Sequence, residues 1–307
     1  MSGTSERLAG NVVTVIGMVI WATNFPVAAE ILKTWQPLVL TPIRFAIAGL
    51  VVAVAAAAMG QGIVMLRLVA DRRVLMASVA YSFSAMTFVW GQKLTDPVTA
   101  AVIVSSMPLI SAVMGWRNGR ESFTPLLVMA LVLAIAGGIL TSTADVPAGS
   151  VESSLAGAAA VLVGTILYVW YTRILVEDLP LVPAAAKAAA TTWLATLLTA
   201  IIAASATATG VVPLEYDLAG RTLALIGWLG AVAIGLTAVL WLWSSRVIGV
   251  TVACVHNNLV PFYVIVLAAM SGSVITAQHL WGALLVLAGA VLAQLPPSVL
   301  GPRPEGA

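Results

Sequence analysis

The sequence predicts an all-α membrane protein, with ten transmembrane helices arranged as two inverted repeats of five helices. Hydrophobic residues make up 61% of the 307 residues and charged residues only 8%, whereas about a quarter of a soluble domain is charged. The apolar sequence divides into pieces of spanning length, and the first five pieces share features with the last five. Too little polar surface is available for a water-soluble globule, so we expect the chain to lie in a lipid bilayer.

Ten apolar pieces, separated by charged residues and turn formers, are each close to the ~20 residues that cross the hydrocarbon core. The predicted spans are 8–30, 37–59, 74–93, 97–116, 123–141, 154–176, 182–205, 222–245, 250–270 and 275–295. The connections are short and leave no room for a soluble catalytic domain. Arg7 before the first piece also permits a signal peptide, but the length of this piece favours a retained span.

Positive charges predict the orientation, because Lys and Arg in short loops stay in the cytoplasm. With the N-terminus inside, the cytoplasmic cations are Arg7, Arg67, Arg72, Arg73, Arg117, Arg120, Arg173, Arg246 and Arg303, and the outer ones are Lys33, Lys93 and Arg221. Both termini are then cytoplasmic, and residues 296–307 form a cytoplasmic tail. Arg44 and Lys187 lie only a few residues inside their spans, so we expect their long side chains to reach the interfaces.

The two halves of the chain, 8–141 and 154–295, carry matching residues at nearly constant spacing. The matches include Leu8-Ala9-Gly10 with Leu155-Ala156-Gly157, Gly17 with Gly164, Trp90 with Trp243, and Pro108 with Pro261. Five is an odd number, so the second half must enter the membrane from the opposite side. Inverted repeats of this kind provide alternating access to a site near the midplane. The glycines lie two turns apart on one helix face and should allow close helix approach.

Several short motifs resemble the EamA-type members of the drug/metabolite transporter superfamily. These are Trp21-Ala22-Thr23-Asn24-Phe25, Pro42-Ile43-Arg44-Phe45 and the segments around Pro108 and Pro261. The similarity covers about residues 8–295. The resemblance implies a secondary carrier with ten spans and no nucleotide motor. Within the family, the overall pattern is most similar to aromatic amino acid exporters of the bacterial inner (plasma) membrane.

Polar and aromatic side chains inside the spans are the candidates for a substrate-binding central cavity, since polar groups in a bilayer face a cavity or a neighbouring helix. The candidates are Asn24, Tyr81, Ser105, Ser106, Tyr168, Tyr171, Trp241, His256, Asn257 and Asn258. Asn258 is favoured because it is the repeat counterpart of Ser105. Tyr81 and Tyr168 are favoured because buried hydroxyls need partners. Packing between helices is the alternative for the serines and for deep tryptophans such as Trp21.

Two prolines lie about halfway along equivalent spans of the two halves. Pro108 and Pro261 should kink these helices, because a proline leaves the carbonyl four residues earlier without its usual donor. Freed carbonyls at membrane depth could bind an ammonium group of a cargo. A kink that only improves packing is the alternative.

The residues that are absent from the spans restrict the function. All 12 carboxylates lie at span ends, in loops or in tails, so the spans offer no acid for a proton or sodium relay. The single cysteine, Cys254, excludes a disulfide framework and thiolate metal sites, and no metal or cofactor is predicted. The net charge of +2, without a basic block, gives no reason to expect nucleic acid. No P-loop or intramembrane protease motif is present, so no enzyme is predicted.

We therefore expect a monomeric carrier that exports neutral, in particular aromatic, amino acids and related metabolites by alternating access. Its partners are the cargo and the lipid bilayer. A cavity without charge suits a cargo of little net charge. The alternative keeps the fold and changes the cargo to hydrophobic, drug-like cations, and a channel is the third and less favoured class.

Overall fold

The computed structural model describes residues 3–117, 125–144, 150–270, 272 and 274–292, and these residues form helices with short connections and no strand. The helices are α1 (Gly3–Ala22), α2 (Asn24–Ile31), α3 (Pro37–Ala58), α4 (Gly62–Leu68), α5 (Arg72–Leu94), α6 (Pro97–Val104), α7 (Met107–Arg117), α8 (Pro125–Ser142), α9 (Val151–Arg173), α10 (Ala184–Ala208), α11 (Gly220–Trp228), α12 (Thr237–Ile248), α13 (Val250–Val255), α14 (Val260–Met270) and α15 (Ala277–Leu292). Three irregular helical segments join some of them: the π-helices Ile174–Asp178 and Leu229–Leu236, and the 3-10 helix His256–Leu259.

Eight continuous helical stretches of the described chain are long and apolar enough to cross a membrane. They are Ser5–Ile31, Pro37–Ala58, Arg72–Leu94, Pro97–Arg117, Val151–Asp178, Ala184–Ala208, Gly220–Ile248 and Val250–Met270. Two shorter apolar helices, Val128–Ser142 and Ala277–Gly289, lie where the fifth and tenth spans are predicted. The prediction of an all-helical, multi-pass membrane protein is thus confirmed. The count of ten spans and the cytoplasmic termini stay predictions, and Arg120, Arg303 and residues 296–307 lie outside the described residues.

Local sequence explains where several helices begin. The side chain of Asp71 accepts a hydrogen bond of 2.8 Å from the Arg73 amide at the start of α5. Asp96 accepts hydrogen bonds from two amides at the start of α6, which also has a proline at its first position. Both arrangements satisfy amides that have no partner within the helix. Gly249 alone connects α12 to α13 with φ of +87°, a conformation that glycine adopts without strain.

The main helix contacts link the first half of the chain to the second. Helix α5 packs on α9, α3 on α10, α8 on α15, and α1 on α12, while α6 contacts α14 and α7 contacts α13. In the sequence repeat, α1 corresponds to α9, α5 to α12, α6 to α13 and α7 to α14. The α1–α12 contact therefore corresponds to the α9–α5 contact, and the α6–α14 contact corresponds to the α13–α7 contact. A two-fold relation between the halves would give this pattern of contacts, and the division into the repeats 8–141 and 154–295 stays a prediction.

Glycines allow the closest of these contacts, as the sequence predicts. A Cβ atom at Gly157 of α9 would lie 2.8 Å from the Cβ atom of Leu94 on α5. At Gly164, two helical turns further along α9, an added Cβ atom would lie 2.9 Å from the carbonyl oxygen of Ser84. In the other half, a Cβ atom at Gly10 of α1 would lie 2.7 Å from Ile248 of α12. Glycines that match in the sequence therefore occupy matching helix contacts.

Two cations inside the spans do not reach the interfaces, and that prediction is wrong. Arg44 is 3% exposed and Lys187 is 0% exposed. The Lys187 ammonium donates hydrogen bonds to the carbonyl oxygens of Leu175, at 2.6 Å, and Leu179, at 3.1 Å. A cation is stabilised there by the negative end of the preceding helix. Arg44 is covered because α3 packs against both α5 and the π-helix Leu229–Leu236.

Candidate functional site

A small cavity with a volume of about 60 Å³ lies where helices of both halves meet. Its wall contains the rings of Trp21, Phe45, Tyr81, Phe88 and Tyr168, and the polar side chains of Asn24, Arg44, Ser84, Thr165 and Thr237. A second space of about 20 Å³ shares Trp21, Met107, Tyr168 and Thr237 with the first, and adds Met18, Trp241 and Asn257. We refer to the two adjoining spaces together as the central cavity.

The rings of the central cavity form a connected cluster around Tyr81. Its ring stacks on that of Tyr171, with centroids 4.4 Å apart and an interplanar angle of 12°. The Phe45 and Tyr168 ring centroids lie 4.7 Å and 6.0 Å from that of Tyr81, and Trp241 follows 6.1 Å beyond Tyr168. These distances fall in the range where aromatic pairs attract each other. The cluster therefore presents fixed, apolar ring surfaces to anything in the cavity.

Most hydroxyl groups of the cavity wall are already satisfied within the protein. Ser84 donates a hydrogen bond of 2.7 Å to the carbonyl oxygen of Gly164, and Thr237 donates one of 2.6 Å to that of Ala233. Asn24 differs, because its side chain is 1% exposed and its amide nitrogen has no partner among the described residues. The amide nitrogen of Asn257 is in the same state. Buried donors without partners are costly, so these two amides are groups that a bound solute would satisfy.

Arg44 supplies the one cationic group in the described wall of the central cavity. One terminal nitrogen lies 3.4 Å from the carbonyl oxygen of Ala85, and Nε has no hydrogen-bond partner among the described residues. The guanidinium carbon lies 5.5 Å from the centroid of the Phe45 ring. A buried charge normally needs a counterion or several hydrogen bonds. Arg44 has little of either within the described chain.

The structure brings together part of the predicted site. The residues that line the central cavity are Asn24, Tyr81, Tyr168, Trp241 and Asn257, and Tyr171 packs directly behind Tyr81. The other four predicted residues, Ser105, Ser106, His256 and Asn258, line neither space. Their role in binding, like that of the first group, stays a prediction.

The residues outside the cavity mostly pair within their own helices. Ser105 and Ser106 donate hydrogen bonds of 2.7 Å and 2.6 Å to the carbonyl oxygens of Val102 and Ile103. The Nδ1 atom of His256 lies 3.2 Å from the carbonyl oxygen of Val252. Such local hydrogen bonds satisfy a polar side chain without a cavity. Asn258 is also buried, and its side-chain oxygen has no partner among the described residues.

Equivalent helices of the two halves are interrupted just before Pro108 and Pro261. Helix α6 ends at Val104, and α7 begins at Met107 after a turn in which the Ser106 amide bonds to the carbonyl of Ile103. The 3-10 helix His256–Leu259 occupies the corresponding place between α13 and α14. Each interruption lies N-terminal to its proline, where the usual helical hydrogen bond is lost.

The cavity also contains residues that the sequence did not single out as binding residues. The sequence predicts packing for Trp21 and an interfacial position for Arg44, and it indicates no binding role for Phe45, Phe88 or Thr165. Phe45 directly follows Arg44 in the motif Pro42-Ile43-Arg44-Phe45, and that motif is the sequence signal for both residues. For Phe88 and Thr165 the sequence has no comparable signal, because each is one apolar or small polar residue among many.

A larger groove, of about 550 Å³, lies between α6, α7, α8 and α9. Its walls are mainly aliphatic, with Ser106, Arg117 and Ser142 as their polar members, and Ile135 and Ile139 in these walls are 60% and 52% exposed. Exposed aliphatic walls of this kind suit lipid chains and lack the convergent polar groups of a solute site. We therefore place the candidate functional site in the smaller central cavity.

The apolar helices indicate a multi-pass membrane protein, and the central cavity is its candidate functional site. Residues 8–143 match the model of the EamA-like transporter family. The first half of the chain is therefore similar to EamA-like transporters. The match agrees with the resemblance of the motifs at 21–25, 42–45 and around Pro108, and it does not extend to the segment around Pro261.

The other comparisons concern the fold alone. No curated protein sequence matches the chain. A solved structure, titled only "Crystal structure of protein", is 18% identical and superposes with a TM-score of 0.70 over 94% of this chain and 98% of the other. The architecture is therefore one that occurs in solved structures.

Proposed function

We propose that the protein is a secondary carrier that exports neutral, in particular aromatic, amino acids and related metabolites across a bacterial inner membrane. The observation that carries this proposal is the cluster of rings in the central cavity, beside the unpaired amides of Asn24 and Asn257. A cargo ring would gain from stacking or edge contacts with Tyr81 and Tyr168. The polar end of the cargo would satisfy donors that are otherwise buried without partners.

Alternating access explains how such a cargo could enter a cavity of this size. A single water needs about 10–15 Å³ of such space, so about 60 Å³ holds a few waters and not an amino acid. The halves must therefore separate on one side before a cargo binds. Rocking of two repeats about a central site accomplishes this, and the contacts of α5 with α9 and of α1 with α12 are the surfaces that would move.

Hydrophobic, drug-like cations are the second candidate cargo, because aromatic rings also bind cations. The ring cluster favours them, but Arg44 in the same wall repels a positive charge. A channel has no comparable support, since two inverted halves around one site are the arrangement of a carrier. We accordingly rank amino acids first.

Transport of labelled phenylalanine into proteoliposomes tests the proposal. Unlabelled aromatic amino acids should compete, and phenylalanine loaded inside the vesicles should accelerate uptake of label, as exchange by a carrier requires. Tyr81→Ala and Asn24→Ala should reduce uptake. Trp90→Ala, which removes a ring from the same helix α5 at a position 51% exposed, is the matched control and should not.

Three results would contradict the proposal. Competition by a quaternary ammonium compound, without competition by amino acids, would reassign the cargo to cations. Uptake that internal substrate fails to accelerate would favour a channel. Wild-type rates in both cavity variants would refute the assignment of the site.

A further inference from the structure

Three cationic side chains are buried in the described membrane-spanning segments, and they differ in how their charge is satisfied. The Lys187 ammonium bonds to two carbonyl oxygens at the end of the helix before it. Arg173 bonds to the carbonyl oxygen of Ser111 at 2.7 Å and to a carboxylate oxygen of Glu177 at 2.8 Å. Arg44 makes a single hydrogen bond within the described chain, of 3.4 Å to the carbonyl oxygen of Ala85, and its guanidinium carbon lies 5.5 Å from the centroid of the Phe45 ring. Only Arg44 lines the central cavity.

No residue of the described chain provides a counterion for Arg44. None of the ion pairs between described residues includes it, and no carboxylate lines the central cavity. The side chain nevertheless remains 3% exposed, although a buried charge without a partner is destabilising. An unpaired guanidinium beside an aromatic cavity is therefore a feature that a function must explain.

We infer that Arg44 binds the carboxylate of the cargo, and that the central cavity accepts aromatic carboxylates whether or not they carry an amino group. The inference rests on the proposed transport of aromatic solutes. A guanidinium presents a planar set of donors that matches a carboxylate. Nε, which lacks a partner, and the loosely held terminal nitrogen are adjacent donors for two carboxylate oxygens. The neighbouring rings of Phe45 and Tyr81 would hold the aromatic part of the same molecule.

The same geometry makes the amino group of the cargo dispensable. An ammonium group is usually recognised by a carboxylate, and the described cavity wall contains none. A cargo without an amine would neutralise Arg44 completely, whereas an amine without a carboxylate would add a second positive charge. Binding should thus decrease in the order of carboxylate, zwitterion and amine, for cargoes with the same ring.

Competition with two half-analogues of phenylalanine tests the inference on the wild-type protein. 3-Phenylpropionate keeps the carboxylate and lacks the amine, and 2-phenylethylamine does the reverse. The acid should halve uptake of labelled phenylalanine at about one tenth of the amine concentration, because one charge-assisted hydrogen bond corresponds to about a tenfold change in affinity. Equal or stronger competition by the amine would overturn the inference.

Variants of Arg44 test whether this residue causes the preference for 3-phenylpropionate over 2-phenylethylamine. Arg44→Gln should remove the difference between the two analogues, and Arg44→Lys should retain part of it, because Lys keeps the charge without the planar donor set. Arg246→Gln is the matched control, since Arg246 is exposed at the end of α12, and it should leave the preference unchanged. A tenfold preference that persists in Arg44→Gln would also overturn the inference.

A binding measurement separates this inference from the proposed transport. In detergent, 3-phenylpropionate should raise the melting temperature of the wild-type protein more than 2-phenylethylamine does, because ligand that binds only the folded state stabilises it. Arg44→Gln should lose this response. If phenylalanine is not transported but the response appears, the proposed cargo fails and the carboxylate site stands. If the response is absent although transport occurs, the carboxylate site fails alone.

The melting temperature of Arg44→Gln tests whether Arg44 has a purely structural role. Removal of an unpaired buried charge should not lower the melting temperature. A large loss in Arg44→Gln would show that Arg44 serves packing, and the inference would then be wrong.

Discussion

The contact between α5 and α9 should not tolerate even one added methyl group at Gly91. A Cβ atom there would lie 2.6 Å from the carbonyl oxygen of Gly157 and 2.8 Å from the amide nitrogen of Val161. Both are backbone atoms of the facing helix, so no side-chain rotation can remove the clash. Gly91→Ala therefore forces the two helices, and with them the two halves, apart.

The expected loss follows from two opposing contributions. Overpacking against rigid backbone costs about 3 kcal/mol, the upper part of the usual range. Alanine in place of glycine within a helix returns about 1 kcal/mol. The free energy of unfolding should thus fall by about 2 kcal/mol in Gly91→Ala, as the difference of those two contributions.

Gly138→Ala isolates the packing contribution, because a Cβ atom on Gly138 of α8 would have no neighbouring atom within 4 Å. This control should gain about 1 kcal/mol from helix propensity alone. Thermal unfolding of both variants and the wild type in one detergent should therefore give shifts of opposite sign. Equal stability of the two variants would refute the close approach of α5 and α9.

Three further predictions concern side chains near the site and at the helix ends. Arg173→Met should lower the free energy of unfolding by about 1–3 kcal/mol, because it removes hydrogen bonds to the partly buried Glu177 carboxylate and to the Ser111 carbonyl, and thermal unfolding measures this loss. Tyr81→Phe should keep transport close to wild type in the vesicle assay, whereas Tyr81→Ala should weaken phenylalanine binding about two- to tenfold, as expected from loss of one stacked ring. Burial raises the pKa of Asp96, but the His279 ring, whose Nε2 atom lies 3.6 Å from the carboxylate, and hydrogen bonds from Thr99 outweigh it and leave that pKa below its usual value of 3.8. The stabilisation by Asp96 should therefore be present above pH 3.8 and disappear as the pH falls through the lowered pKa, and the acid loss of stability should be smaller in Asp96→Asn.

The fold could be predicted from the sequence because its causes are local or repeated. Apolar length predicts each span, and the recurrence of Gly10 as Gly157 predicts which helix faces approach closely. The prolines at 108 and 261 indicate the places where equivalent helices are interrupted. Each of these features depends on residues close together in the chain, or on a comparison of the chain with itself.

The residues that line the cavity could not all be predicted, because they depend on contacts between helices that the sequence does not specify. Ser105 and Ser106 are polar and lie at mid-membrane, but each hydroxyl pairs with a carbonyl three residues earlier and needs no cavity. Arg44 lies near the start of its span, yet the packing of α5 and residues 229–236 against α3 covers it. Distance along a helix from its end therefore does not determine whether a long cation reaches the interface.

The comparison of Arg44 with Lys187 shows how a symmetric fold can contain an asymmetric site. The two cations lie on α3 and α10, helices that are repeat counterparts and pack against each other. Lys187 is neutralised by helix-end carbonyls of its own half, while Arg44 faces the cavity with unused donors. Four of the six rings in the described cavity wall, those of Trp21, Phe45, Tyr81 and Phe88, also come from the first half. In the proposed carrier, the matching backbones of the halves would provide the surfaces for movement, and the unequal side chains of the first half would provide most of the recognition.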